Sequence, residues 1–106
     1  MPPTAQLAVY TTLPDQKQAR ILATRLVSER LAACVNFFPI ESVYRWRDKI
    51  EEAGEIAMII KTSRARYPAL EKRLRDLHPY EAPAIVAYEI ARGLPTYLAW
   101  IDESCR

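Results

Sequence analysis

Ile56-Ala57-Met58-Ile59-Ile60 is apolar at every position. A strand with one wet face alternates apolar and polar side chains, whereas an unbroken apolar run is covered on both faces. The run sits inside a longer β-prone segment, residues 50–62, which follows a second one, residues 34–47 (Cys-Val-Asn-Phe-Phe-Pro-Ile-Glu-Ser-Val-Tyr-Arg-Trp-Arg). Arg47-Asp48-Lys49 supplies a turn between them, since aspartate tolerates left-handed backbone better than most residues. The two segments therefore form a long hairpin. Pro39 cannot donate to a ladder, so a bend or bulge is expected there.

Outward from the hairpin, residues 6–12 read as a first strand, broken by Pro14 and Asp15. Asp15 and Gln18 have the spacing of a helix-starting capping box. A helix over 16–33 follows, with Ala19, Leu22, Ala23, Leu26 and Val27 on one stripe. After the hairpin, Thr62 or Ser63 can cap a second helix that carries Pro68 in its first turn and Leu70, Leu74 and Leu77 as its stripe. Residues 84–90 read as a last strand, and Gly93 and Pro95 precede a short helix over 96–103. The order βαββαβ, with one extra C-terminal helix, is the ferredoxin-like α+β sandwich: two helices on one face of a four-stranded antiparallel sheet. Those helices cover one face only. The other face of the all-apolar strand then needs a second subunit, and an obligate oligomer is expected.

The chain has 106 residues, the length of a single domain spanning 1–106. Half of them are hydrophobic and only two are glycine, which excludes a disordered or low-complexity segment. Fifteen basic residues stand against thirteen acidic ones, and Glu71 and Asp76 interrupt the basic residues of the second helix. No clustered basic face results, so nucleic acid is not an expected partner. No apolar run approaches the length needed to span a bilayer, and no membrane partner is expected. Cys34 and Cys105 have no tight spacing and no apolar leader precedes them, a pattern that points to reduced thiols and the cytoplasm.

The only histidine lies in Leu77-His78-Pro79-Tyr80-Glu81-Ala82-Pro83. Its two prolines fix φ and push His78 and Ala82 towards extended backbone, so the second helix ends at about Leu77. The resulting stiff corner presents an imidazole, a phenol and a carboxylate within four residues. It can hold a small polar site, or it can be a rigid helix-to-strand connection. No nucleophile has a base nearby in sequence, and neither a Gly-x-Ser-x-Gly elbow nor a phosphate loop is present, so the protein is not expected to be an enzyme or to hold an organic cofactor. Metal donors are available in His78, Glu81 and Cys34, with Glu51, Glu52 and Glu55 on the hairpin. An imidazole with a thiolate or carboxylate suits copper(II) or another divalent cation. Cys34 can equally be a small buried hydrophobe, and Glu51 and Glu52 a solvated edge. Tyr44, Arg45 and Trp46 suit the packing of a neighbouring subunit. Lys61 either snorkels or faces a polar pocket near His78.

Five stretches then occur in one order: Leu31-Ala32-Ala33-Cys34-Val35-Asn36, Ser42-Val43-Tyr44-Arg45-Trp46, Ile59-Ile60-Lys61-Thr62, the corner 77–83, and Tyr97-Leu98-Ala99-Trp100-Ile101. Together they resemble the CutA family of divalent-cation-tolerance proteins, over essentially the whole chain from Val9. The resemblance implies a tight homotrimer similar in architecture to PII signalling proteins, with each long hairpin extending the sheet of the next subunit. It implies tolerance to copper and other divalent ions, copper(II) binding, and His78 and Cys34 as metal-binding positions. Two positions depart from the family: Thr11 stands where some members have cysteine, and Ala84 where many have glutamate. Asp48 stands where many have glycine, at the hairpin turn. The alternative is a PII-like regulatory protein that binds a small anionic metabolite in the intersubunit cleft through Lys61, Tyr80, Arg45 and Trp46. A third reading is a trimeric scaffold for other proteins.

Overall fold

The computed structural model describes residues 5–106, so the single-domain expectation over 1–106 includes four residues outside it. Seven elements follow in order: β1 (Gln6–Leu13), α1 (Gln16–Ser28), β2 (Cys34–Trp46), β3 (Lys49–Ser63), α2 (Tyr67–Leu77), β4 (Val86–Glu89) and α3 (Pro95–Ser104). The sheet order is β2-β3-β1-β4, with every pairing antiparallel. That is the expected ferredoxin-like α+β arrangement with a C-terminal helix and a long β2–β3 hairpin.

Alternation sorts the sheet into two faces. Leu7, Val9 and Leu13 of β1 join Ile56, Met58 and Ile60 of β3 in the core, with Leu22 and Leu26 of α1 and Leu70 and Leu74 of α2. Full burial of a leucine or isoleucine stabilises by roughly 1.5–3 kcal/mol, so this layer holds the helices on the sheet. The opposite face carries the intervening residues. Ala57 is sealed and Ile59 half-buried, but Phe38, Val86 and Tyr88 beside them are 43%, 43% and 61% exposed. The second apolar face is real, and none of the described residues covers it. α3 lies at one end of the sheet, where Ile101 and Cys105 bury against Ala33 and the Gln6 side-chain amide donates to Asp102 at 2.9 Å.

The hairpin outruns its sheet. Leu13 of β1 pairs with Ile56, so among the described residues β2 is the only strand beside residues 49–55 of β3. Residues 41–54 form a projecting arm, and Val43 and Ile50 on it are 68% and 70% exposed. Contrary to the expected interruption, Pro39 causes no bulge: the register runs from Cys34↔Lys61 to Trp46↔Lys49 without a slip. β2 is an edge strand, in which every second N–H faces away from the ladder and proline is tolerated. The turn is shorter than expected, with only Arg47 and Asp48 outside the strands, at φ 51° and 65°. Positive φ at both positions is the signature of a type I′ turn, whose twist matches the strands it joins.

Three boundaries differ from expectation by more than one residue. α1 ends at Ser28 rather than Ala33. Arg30 takes φ 60°, and the Leu31 and Ala32 amides fold back onto the Leu26 carbonyl. This termination turns Leu31 and Ala32 into the core, where continued helix would have carried them past it. α2 has no side-chain cap at its own first residue. Ser63 Oγ instead accepts the Arg66 amide one turn earlier, at 3.2 Å, and Thr62 Oγ1 donates to the Leu31 carbonyl. β4 is limited to four residues because Pro83 and Ala84 still belong to the corner and Ile85 packs into the core.

Candidate functional site

Between the arm and the corner lies a cavity of about 970 Å³. Its floor is the open face of the sheet, with Tyr10, Thr12 and Glu55. One wall is residues 40–46 of β2, and the other is formed by Pro79, Tyr80, Glu81, Ala82 and Ala84 of the corner. Strand alternation explains the floor: Glu55 shares a face with Ala57 and Ile59, so its carboxylate points away from the helices.

The corner is held by hydrogen bonds as well as by its prolines. His78 is buried, 9% exposed, with its Nε2 lying 2.8 Å from the Thr12 carbonyl and 3.1 Å from Thr11 Oγ1. Its Nδ1 accepts the Tyr80 amide at 3.2 Å. A carbonyl can only accept and an amide can only donate, so the ring is neutral with its proton on Nε2. Burial pushes the imidazole below its ordinary pKa of 6.5, and the Thr12 carbonyl and the Glu55 charge oppose that shift. Tyr80, stacked obliquely on His78 at 5.0 Å, donates its hydroxyl to Glu55 Oε1 at 2.9 Å. Burial, then the Glu55 carboxylate, raise the phenol well above its usual range, so it remains a donor. At the mouth, Arg47 Nη2 donates to Glu81 Oε2 at 3.1 Å, 34 positions away in sequence.

The residues singled out by sequence divide into two groups. Tyr80, Glu81, Arg45 and Trp46 all line the cavity, and His78 lies directly behind Tyr80. Cys34 and Lys61 face each other across β2 and β3 at the other end of the sheet. There Lys61 Nζ donates to Asn36 Oδ1, as does the Cys34 thiol. Lys61 pairs with Ala8, four residues from Thr12, which places this end about 13 Å from His78 along the strand. Lys61 therefore faces no pocket near His78. Nor do three histidine, cysteine or acidic side chains converge on one point among the described residues. His78, Glu81 and Cys34 do not meet within one chain. Sequence reasoning did not pair Tyr80 with Glu55 or Arg47 with Glu81; strand alternation could have placed Glu55 on the open face, but both partnerships need the corner folded back onto the arm.

The chain thus belongs to the class of ferredoxin-like α+β domains in which a projecting β-arm and a proline-braced corner enclose a ligand-sized cavity. Its sequence matches the family model of the CutA1 divalent ion tolerance proteins over residues 7–104. A divalent-cation tolerance protein CutA of Archaeoglobus fulgidus is 44% identical over 96 residues, covering 91% of this chain and 94% of that protein. Protein CutA of Mus musculus is 43% identical over 97 residues, and there the match covers 91% of this chain but only 55% of the mouse protein. The solved structure of the A. fulgidus protein, described as a periplasmic divalent cation tolerance protein, superposes with a TM-score of 0.93 at 42% identity, over 95% of this chain and 99% of that one. The chain belongs to the CutA1 family.

Proposed function

We propose that this protein serves in tolerance of, or response to, divalent metal ions, as a non-catalytic homotrimer in the cytoplasm. Family membership supports the role, and the charge of the cavity carries the reading to a site. Glu41, Glu55 and Glu81 line it with Arg45, and Arg47 pairs with Glu81 at the mouth, which leaves one negative charge in excess and a field that favours cations. The same balance speaks against the alternative of an anionic metabolite, as does the distance of Lys61 from the cavity. The metal donors proposed are His78 and Glu81 of the corner with Cys34, and copper(II) suits that mixture of imidazole, carboxylate and thiolate. Because Cys34 lies at the far end of the sheet, a site using all three donors draws its thiolate from a second subunit. On His78, Nδ1 carries the ring's lone pair and is the atom a cation would reach, in exchange for the Tyr80 amide.

The trimer has its own support in the uncovered apolar face of Phe38, Val86 and Tyr88 and in the exposed arm. Calorimetric titration of copper(II) into reduced, chelator-stripped protein, beside His78→Ala, tests the site. Micromolar or tighter binding that His78→Ala abolishes is the expected result. Equal binding by both proteins moves the metal away from the corner, and no binding by either removes copper from the function.

A further inference from the structure

Thr11 is the hydroxyl residue in the core stripe of β1. Alternation puts it between Val9 and Leu13 on the helix side of the sheet, and it is fully buried. A valine there would have the same shape and no polar atom to satisfy, so a buried threonine needs a use for its oxygen. Among the described residues that oxygen has a single hydrogen-bond partner, Nε2 of His78 at 3.1 Å.

The Thr12 carbonyl, at 2.8 Å, is the second group facing that nitrogen. It points to the β4 side of β1, as the Gln6 carbonyl does where it accepts the Ile90 amide. β4 pairs with β1 only as far as Tyr10↔Val86, so beyond Tyr10 the imidazole stands where a strand would have bonded. Two acceptors therefore bracket one N–H. The carbonyl decides which ring nitrogen carries the proton. The hydroxyl, on a β-branched side chain with restricted χ1, fixes the direction of that N–H.

The Nδ1 lone pair is thereby turned towards the Tyr80 amide, 3.2 Å away. Imidazoles that bind metals are oriented in this manner, with the N–H opposite the ligating nitrogen donated to a neighbouring oxygen. All three contacts are made within one chain around a ring that is itself buried, so they do not depend on how subunits pack.

We propose that Thr11 is the positioning residue of His78: with the Thr12 carbonyl it holds the ring proton on Nε2 and presents Nδ1 as the nitrogen a divalent cation takes. The second half of that statement rests on the metal reading given above; the first half does not.

His78 is the only histidine, so its ring nitrogens can be read by NMR without ambiguity in isotope-labelled, chelator-stripped protein. At about pH 8, where an imidazole is neutral, the wild type should show the proton on Nε2 and a bare Nδ1, with no averaging between them. Thr11→Val keeps the shape of the side chain, so the melting temperature should hold or rise while the two ring signals move towards each other. A threonine that served packing alone would leave those signals where they were. Copper(II) affinity by calorimetry should fall about fivefold, the size of one neutral hydrogen bond. Thr11→Ser, which restores the hydroxyl, should recover both readouts. A wild-type proton on Nδ1, ring signals unchanged by Thr11→Val, or signals that Thr11→Ser fails to recover, overturns the proposal. Signals that move while copper affinity stays constant overturn the presentation of Nδ1. Copper binding equal in wild type and His78→Ala defeats the metal reading and the ligating role with it, and the ring signals then decide alone whether Thr11 holds the imidazole.

Discussion

His78 spends both ring nitrogens on the backbone, and that economy has a pH signature. Its folded pKa is lowered by burial, whereas the unfolded chain holds it near 6.5. The unfolded state therefore binds the proton more readily, and stability falls as pH drops through 6.5. The melting temperature should decline between about pH 7.5 and 5, and His78→Gln should flatten that slope. Asp15 and Glu29 do not confuse the result. Their pKa values are lowered by hydrogen bonds from Gln18 and from Arg73, so what they contribute is lost only on acidification below the ordinary carboxylate range. Tyr80 offers a second residue-scale check. Tyr80→Phe removes one hydrogen bond and leaves Glu55 without that donor, a loss of about 1 kcal/mol in a urea melt.

At the scale of elements, the arm is set by its turn and the corner by its prolines. Arg47 and Asp48 both take left-handed backbone without being glycine, a conformation that costs an ordinary residue about 1–2 kcal/mol. Asp48→Gly relieves one of them, offset in part by the greater freedom glycine has when unfolded. A net gain of about 0.5 kcal/mol, or a rise of roughly 3 °C in melting temperature, is expected. The positions of the hairpin and of the 77–83 corner were legible in sequence, because β-branched and aromatic runs, a turn residue and paired prolines are local signals. The end of α1 was not. Residues 29–33 continue an acceptable helical pattern, and only the need to bury Leu31 and Ala32 bends the chain away at Arg30.

For the whole molecule, the open sheet face and the projecting arm make the single chain an incomplete object. Phe38 stands on the edge strand of that face, paired with the buried Ala57 of the central β3. In light scattering the wild-type protein should run at about three times the 12.2 kDa of the chain. Phe38→Asp places a charge in the packed face, and the expected outcome is a shift towards monomer with a melting temperature that depends on concentration. A wild-type mass equal to that of one chain would leave an apolar face open to water and would defeat the trimer.

The sequence by itself determined the order of elements, the layer architecture, the doubly apolar central strand and the rigid corner carrying the only histidine. Each of these follows from periodicity or from backbone restrictions acting over a few neighbours. The tertiary structure alone decided which side chains meet. His78, Glu81 and Cys34 are equally plausible donors as residue types, but strand register puts Cys34 beside Lys61 and Asn36, away from the corner. The same folding brings Arg47 to Glu81 and Tyr80 to Glu55 across 34 and 25 positions of chain. Contacts at that range are fixed by how the arm and corner pack together, and no local pattern encodes them.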